Sequence, residues 1–147
     1  MITRNGYNKL KEELNQLISV ERPRVIELIE NSRVIGDADM EDSDYMFAKD
    51  EQDRVENRIC YISNLLDDSK PVDIKGHYDN VEFGATITLM DVDTEKTVKY
   101  TIVSSIESDP SHGLISIEAP IIKELIGASV GDSACFNDKE YELLSIQ

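Results

Sequence analysis

Residues 45–66 read YMFAKDEQDRVENRICYISNLL, and this stretch decides the fold of the first half of the chain. Its core-facing positions are spaced alternately three and four residues apart over three heptads, which is the seam of a coiled coil. Glu56 and Arg58 flank the seam and are expected to be solvated charges. At about 1.5 Å per residue, the helix is a rod about 35 Å long. The seam consists of Tyr45, Ala48, Gln52, Val55, Ile59, Ile62 and Leu66.

The residues before the seam predict a helical partner for it. Thr3 or Asn5 can cap the start of this helix. Pro23 removes an intrahelical hydrogen bond and should bend or restart it. We therefore predict an antiparallel coiled-coil hairpin over residues 1–72. The apolar face of its first helix contains Tyr7, Leu10, Leu14 and Leu17.

The tip of this hairpin, residues 36–44 (GDADMEDSD), is strongly acidic. Five carboxylates fall between Asp37 and Asp44. Two arrangements remain open for a two-helix rod with little core of its own: a four-helix bundle made by dimerisation, or a finger that reaches into a cavity. The tip favours the finger, because a bundle interior would not accept five carboxylates.

The spacing of the tip acids can be compared with the patterns of known metal-binding and catalytic sites. Asp37, Asp39 and Glu41 have the one-three-five spacing of a calcium loop, but Asp42 replaces the required glycine and Ala48 the bidentate glutamate. A solvated tip has no walled pocket to separate two carboxyl pKa values, so catalysis by this chain alone is not expected. Two readings stay open: a solvated charged turn, or carboxylates added to a magnesium ion that another protein already holds.

The second half, residues 76–147, predicts an antiparallel sheet with one short helix packed on it. The helix follows Pro120 and is closed by Gly127 as its C-cap. No nucleophile with a base, phosphate loop or metal cage is recognisable in its sequence. The whole chain is therefore of the α+β class. The predicted strands are residues 81–90, 97–103, 114–118, 133–136 and 141–146.

The amino-acid composition limits the kinds of partner that the chain is expected to bind. The formal net charge is −15, with 17 acids and 11 bases in residues 1–75 and 13 acids and 4 bases in residues 76–147. Such a chain is repelled by phosphate backbones, so independent binding to DNA is not expected, and a basic protein surface or a cation is the better partner. No apolar run suits a membrane span or a signal peptide. Cys60 and Cys135 are too far apart to suggest a disulfide, which fits a reducing cytoplasm.

Several blocks of the chain resemble the bacterial Gre transcript-cleavage factors, GreA and GreB. They cover both halves and occur in the family's order. The N-terminal blocks are residues 22–23 (RP), 36–37 (GD), 41–45 (EDSDY) and 48–52 (AKDEQ). The C-terminal blocks are residues 81–89 (VEFGATITL), 115–127 (ISIEAPIIKELIG) and 130–132 (VGD).

The resemblance implies a coiled-coil hairpin followed by an FKBP-like domain, with no isomerase activity carried over. It implies a transcription elongation factor whose C-terminal domain docks on RNA polymerase and whose tip enters the secondary channel. There the tip acids help the polymerase bind a second Mg²⁺ ion, not held stably by the factor alone, and cleave the 3′ end of backtracked RNA. The factor is then not itself an enzyme.

The resemblance also assigns roles to individual residues. Asp37 and Glu41 match the two tip acids that assist catalysis, and Asp39 is an additional acid that could join them as a metal ligand. Arg33 and Lys49 match basic positions that could touch the RNA. The polymerase-docking segment is matched by Pro120, Ile121 and Ile126.

The tip departs from the family's pattern. One more residue separates Gly36-Asp37 from Tyr45 than in GreA and GreB, which can shift a carboxylate by about 3 Å. An over-acidic tip is similar to that of inhibitory Gre homologues, which occupy the channel without stimulating cleavage. Cleavage stimulation is the favoured reading. Channel inhibition is its alternative, and a self-associating acidic scaffold unrelated to transcription is a third.

Overall fold

The computed structural model describes residues 1–35 and 43–147, with the side chains of residues 33–35 left aside. These residues form two compact units, one made of Met1–Gly6 and Lys70–Gln147 and the other of Tyr7–Ser69. The division differs from the sequence-based one at 1–72 and 76–147, because the first six residues pack with the C-terminal unit. One unit is helical and the other is built on a sheet, which confirms the α+β class.

The helical unit contains the two predicted arms. The first arm comprises α1 (Arg4–Gln16, whose first residues belong to the other unit), a π-helical turn (Leu17–Glu21) and α2 (Arg22–Ile35). The second arm is the single helix α3 (Ser43–Asp68).

The π-helical turn lies directly before Pro23. The Arg22 N–H donates to the carbonyl of Leu17, five residues back, so one extra residue is accommodated in the turn. Pro23 has no N–H to donate, and its ring would crowd a regular preceding turn. The first arm therefore continues past the proline, and the irregularity predicted near Pro23 is a local widening of the helix rather than a break.

The two arms pack along the predicted seam. Val25 of α2 and Val55 and Ile59 of α3 form a buried cluster, against which Leu14 and Leu17 pack. Ala48 and Ile62 are also buried on α3. The seam is narrow, so most of the surface of each helix faces solvent.

Ion pairs join the arms on either side of the seam. Arg22 binds Glu56 through two hydrogen bonds of 2.8 and 2.9 Å, and Arg58 binds Glu13 through two of 2.7 and 3.1 Å. Glu56 and Arg58 are therefore partners of the opposite arm, and the expectation that they are simply solvated was wrong. The pairs are substantially exposed, so they set the register of the arms more than they add stability.

The C-terminal unit is a five-stranded sheet in the order β5-β4-β3-β7-β6. Helix α4 (Pro120–Leu125) buries three apolar side chains in the core on one face of this sheet. A separate parallel pair joins β1 to β2. The strands are β1 (Ile2–Thr3), β2 (Pro71–Val72), β3 (Thr86–Asp91), β4 (Thr97–Val103), β5 (Leu114–Ser116), β6 (Ser133–Phe136) and β7 (Lys139–Ile146).

Side chains along β3 alternate between buried and partly covered positions, and this alternation explains the position of the core. Ile87 and Leu89 are fully buried, whereas Thr86 and Thr88 alternate with them and are only partly covered. Burial of each such Ile or Leu side chain stabilises the fold by roughly 1.5–3 kcal/mol. The opposite face of the strand carries Thr86, Thr88 and Met90, which are partly covered.

Two details of the sheet differ from the prediction. Strand β5 pairs with β4 in parallel, whereas an antiparallel sheet was expected; the other three pairings are antiparallel. Strand β3 begins at Thr86 rather than at residue 81, because Gly84 adopts a φ of +90° that breaks the extended backbone. The predicted turn before β7 is confirmed, with Asn137 and Asp138 at φ of 50° and 61°, as in a tight hairpin.

Glu107 ties the N-terminus to the sheet unit. Its carboxylate accepts hydrogen bonds from the N–H and hydroxyl of Thr3, and from the N–H and hydroxyl of Ser104 at 3.3 and 2.7 Å. Thr3 Oγ1 in turn accepts from the Gly6 N–H at 3.0 Å, which confirms Thr3 as the N-cap of α1. A side chain at Gly6 would collide with this carboxylate, since an added Cβ would lie 2.0 Å from Glu107 Oε1.

We expect Gly6→Ala to destabilise the protein by about 1–3 kcal/mol, because the new methyl group must displace the Glu107 carboxylate from Thr3. This sign is diagnostic, since alanine normally stabilises a helix by about 1 kcal/mol relative to glycine. Gly76→Ala is the matched control, because nothing lies within 4 Å of its added Cβ. Thermal unfolding of both variants measures the difference, and a stabilised Gly6→Ala protein would contradict the account of Glu107.

We expect the Arg22–Glu56 pair to stabilise the hairpin at neutral pH and to lose this effect in acid. Hydrogen bonds from Arg22 hold the pKa of Glu56 below its usual value of 4.5. The stabilisation is therefore complete above that value and is lost as the pH falls through the lower pKa of the folded state. The melting temperature of Glu56→Gln should lie below that of the wild type at neutral pH and converge with it in acid. Glu12→Gln, an equal charge change at an exposed site of α1, should show no such convergence.

Candidate functional site

The acidic tip lies between the end of α2 at Ile35 and the start of α3 at Ser43. Asp37, Asp39 and Glu41, the predicted metal ligands and catalytic acids, lie outside the described residues. The backbone of Arg33 belongs to α2, and its side chain lies outside the description too. The structure thus describes the two helices on either side of the tip acids. The roles of Arg33 and of the tip acids stay predictions.

Lys49, the second basic residue predicted to contact RNA, lies on α3 one turn after Tyr45. It is half-buried, and its ammonium group lies 3.4 Å from the side-chain oxygen of Gln52. Over residues 1–35 and 43–147, no carboxylate lies within ion-pair distance of Lys49. Its positive charge is therefore available to an anionic partner such as a phosphate group.

The arginines of the arms are engaged differently. Arg24 binds both Glu21 and Glu51, and Arg54 binds Glu51 at 2.8 Å. Hydrogen bonds from Arg54, and secondarily from Arg24, hold the pKa of Glu51 below its ordinary value. These guanidinium groups are neutralised within the hairpin, whereas the ammonium group of Lys49 has no carboxylate partner among the described residues.

Two exposed apolar residues next to the tip were missed by the sequence analysis. Met46 is 52% exposed and Phe47 is 62% exposed, and both lie in the first turns of α3. The signal was present in the sequence, since residues 45–48 are all apolar although only Tyr45 and Ala48 fall on the seam. The end of the hairpin next to the acids thus carries apolar as well as charged surface.

The predicted docking segment contains both surface and core residues. Pro120 is exposed, and Ile126 is 45% exposed just after α4. Ile121 is only 8% exposed and belongs to the core cluster with Ile122 and Leu125. The surface of this segment is therefore offered by Pro120 and Ile126, while Ile121 anchors the helix that presents them.

The charge of the C-terminal unit is mostly negative at the surface. Residues 76–147, which make up most of this unit, contain 13 acids and 4 bases. Lys123 is paired with Glu118 at 2.8 Å, and Lys139 lies 3.6 Å from Asp91. A basic protein surface is the partner that complements this unit.

One cluster superficially resembles a hydrolytic site. The Nδ1 atom of His112 lies 2.6 Å from Asp109 Oδ2 and 3.2 Å from Ser111 Oγ. In a catalytic triad the serine and the carboxylate contact opposite ring nitrogens, so this exposed turn lacks that geometry. Ser111 and His112 lower the pKa of Asp109 by hydrogen bonding, which is the behaviour of a turn carboxylate.

Metal binding and membrane spanning were assessed for the described residues. Outside residues 36–42, no group of three or more His, Cys, Asp or Glu side chains is arranged to hold a metal ion. Among the helices that the structure describes, none has the length and apolarity to cross a membrane. Cys60 and Cys135 are free thiols at the surfaces of their respective units.

Comparison with curated proteins gives closely related sequences. The chain is 43% identical over 137 residues to transcription elongation factor GreA of Nautilia profundicola, covering 92% of this chain and 84% of the relative. It is 40% identical over 148 residues to transcription elongation factor GreA of Helicobacter pylori strain Shi470, covering 97% and 89%.

Comparison with solved structures gives more distant neighbours. The structure titled transcription factor Gfh1 is 23% identical, with a TM-score of 0.47 over 99% of this chain and 95% of that one. Thermus aquaticus Gfh1 is 27% identical, with a TM-score of 0.41 over 99% and 96%. Scores below 0.5 carry no argument about this protein.

Family models match both halves of the chain. The model described as "Transcription elongation factor, N-terminal" matches residues 1–70, and the model described as "Transcription elongation factor, GreA/GreB, C-term" matches residues 75–147. The boundary between them falls where the helical unit ends. The chain therefore belongs to the GreA/GreB family of transcription elongation factors.

Proposed function

We propose that the protein binds bacterial RNA polymerase, inserts its acidic hairpin tip into the secondary channel and stimulates cleavage of backtracked RNA. The observation that carries this proposal is the match of family models to nearly the whole chain, together with relatives named transcription elongation factor GreA at 40–43% identity. The protein then works in the cytoplasm as a factor of the polymerase and meets the RNA 3′ end only within that complex.

The two units divide the task. The C-terminal unit docks on the polymerase, with the exposed surface of Pro120 and Ile126 as its apolar contact. The helical unit carries the tip, and its arms are held in register by the seam and the interhelical ion pairs. The described arginine side chains of this unit, Arg22, Arg24, Arg54 and Arg58, are paired with carboxylates, which limits indiscriminate binding to nucleic acid.

The tip acids act as metal ligands that complete a site in the polymerase. Carboxylate oxygens are the donors that Mg²⁺ prefers, so the donor chemistry of Asp37, Asp39 and Glu41 fits this ion. When shared with the polymerase, the ion would polarise the scissile phosphate and activate a water molecule. Lys49 would hold an RNA phosphate, a role supported by the lack of a carboxylate partner for its ammonium group among the described residues. The extra tip residue decides whether Asp37 or Asp39 serves with Glu41.

We expect a stalled, backtracked elongation complex with end-labelled RNA to release shortened RNA when this protein is added. Asp37→Asn and Glu41→Gln should each slow cleavage at least about tenfold, because loss of a metal ligand weakens a site that this factor only completes. The cleavage rate is measured at saturating factor. A defect in Asp39→Asn instead of Asp37→Asn would place the ligand at the additional acid.

The control is Asp53→Asn, an equal charge change at an exposed position of α3. It should leave cleavage unchanged. Intact RNA together with slower nucleotide addition would support the channel-inhibitor alternative, and absence of polymerase binding would contradict both readings.

We expect Ile126→Asp to weaken binding to RNA polymerase at least about tenfold, since a charge would replace an apolar contact at the docking surface. Val92→Asp is the matched control, because Val92 is similarly exposed at 41% but lies in the turn after β3. Affinity is measured by titration of labelled factor with polymerase. Equal affinities of the two variants for the polymerase would show that the docking surface does not include α4.

A further inference from the structure

The apolar pair Met46 and Phe47 lies outside the seam that holds the two arms together. Among the side chains of the helical unit that the structure describes, these two are the most exposed large apolar ones, at 52% and 62%. Solvated helix positions of this kind are normally filled by polar residues. Their exposure is therefore a feature that folding alone does not explain.

Their position limits what can cover them. Phe47 follows the last tip carboxylate, Asp44, by three residues, which is an axial rise of about 4.5 Å on a helix. A surface that contacts the start of α3 at Asp44 therefore also lies next to this pair. This step rests on the proposed function, which places the tip inside the polymerase.

A second copy of the chain is the less suitable occupant. Two adjacent side chains offer far less than the roughly 1,000 Å² that a specific protein interface needs. Along α3 the same outer stripe continues, seven residues apart, as Arg54 and Tyr61. Arg54 is already paired with Glu51, so this stripe is not an extended apolar face.

The neighbouring charges argue against RNA as the occupant. Asp44 and Asp50, three residues to either side of Phe47, lie on the same face of α3 as its ring, whereas Lys49, two residues further on, does not face that ring. Carboxylates around an aromatic ring repel a phosphate backbone, although the ring itself could stack on a base. A protein surface with an apolar crevice fits the pair better, because aromatic and Met side chains are enriched in the buried centres of interfaces.

We propose that Met46 and Phe47 form an apolar anchor that seats in a crevice of the polymerase channel wall and adds to the affinity of the factor for the polymerase. The apolar pair contributes to binding, whereas the tip carboxylates contribute to the chemical step. Removing the pair should therefore raise the factor concentration needed for half-maximal cleavage, while the rate at saturation stays unchanged.

The test uses the full-length Met46→Gln/Phe47→Gln double variant, since glutamine is compatible with a helix. Cleavage of backtracked RNA is followed as a function of factor concentration. We expect the half-maximal concentration to rise at least about tenfold, equivalent to about 1.4 kcal/mol of binding free energy. Phe47→Leu should retain most of the wild-type affinity, because it stays apolar. Val92→Gln is the control for an exposed apolar residue in the other unit.

Each result decides the proposal. An unchanged half-maximal concentration overturns the anchor while leaving cleavage by the wild type, and hence the proposed function, intact. A fall in the saturated rate alone also overturns it, because the pair would then act in the chemical step. A wild-type dimer that the double variant dissociates, measured by light scattering, assigns the pair to a second copy instead. A lower melting temperature of the free double variant would show a structural role and likewise overturn it.

Discussion

The narrow seam between the two arms is the constraint on which the helical unit depends. A two-helix hairpin can bury only one strip of each helix, so Val25, Val55 and Ile59 must supply most of its core. Everything outside the strip faces solvent and is mostly charged. Interhelical pairs such as Arg22–Glu56 then serve to select one register, since a slip of one turn would separate partners of opposite charge. Several of the charges on this thin rod are paired between its two arms.

Thinness suits the proposed task. A carboxylate carried on a thin rod can be brought to a site that a globular domain could not enter. The docking surface can then lie on a conventional sheet unit, where α4 is anchored by Ile121, Ile122 and Leu125. In this proposal, affinity for the polymerase and ligation of the metal ion depend on different parts of the chain. Each can vary without disturbing the packing that the other needs.

The sequence predicted best what depends on short-range periodicity. The heptads of α3, the irregularity near Pro23 and the turn at Asn137-Asp138 all follow from residues a few positions apart. It failed where partners are distant: Glu56 meets a residue 34 positions away, and Glu107 meets one 104 positions away. The parallel pairing of β5 likewise depends on how the chain returns to the sheet. Which acids act at the tip was suggested by resemblance alone, because carboxylate spacing does not specify a partner held by another protein.

The parallel pairing of β1 with β2 has a consequence for biosynthesis. Parallel neighbours require a crossover, and here the crossover is the entire helical unit, inserted between Thr3 and Pro71. Residues 2–3 are synthesised before their partners, so they must wait for residues 71–72, and then for Glu107, before they can pair. The helical unit, whose contacts are more local, can form while they wait. Strand β1 is thus made before the other strands of this unit and is among the last to be secured.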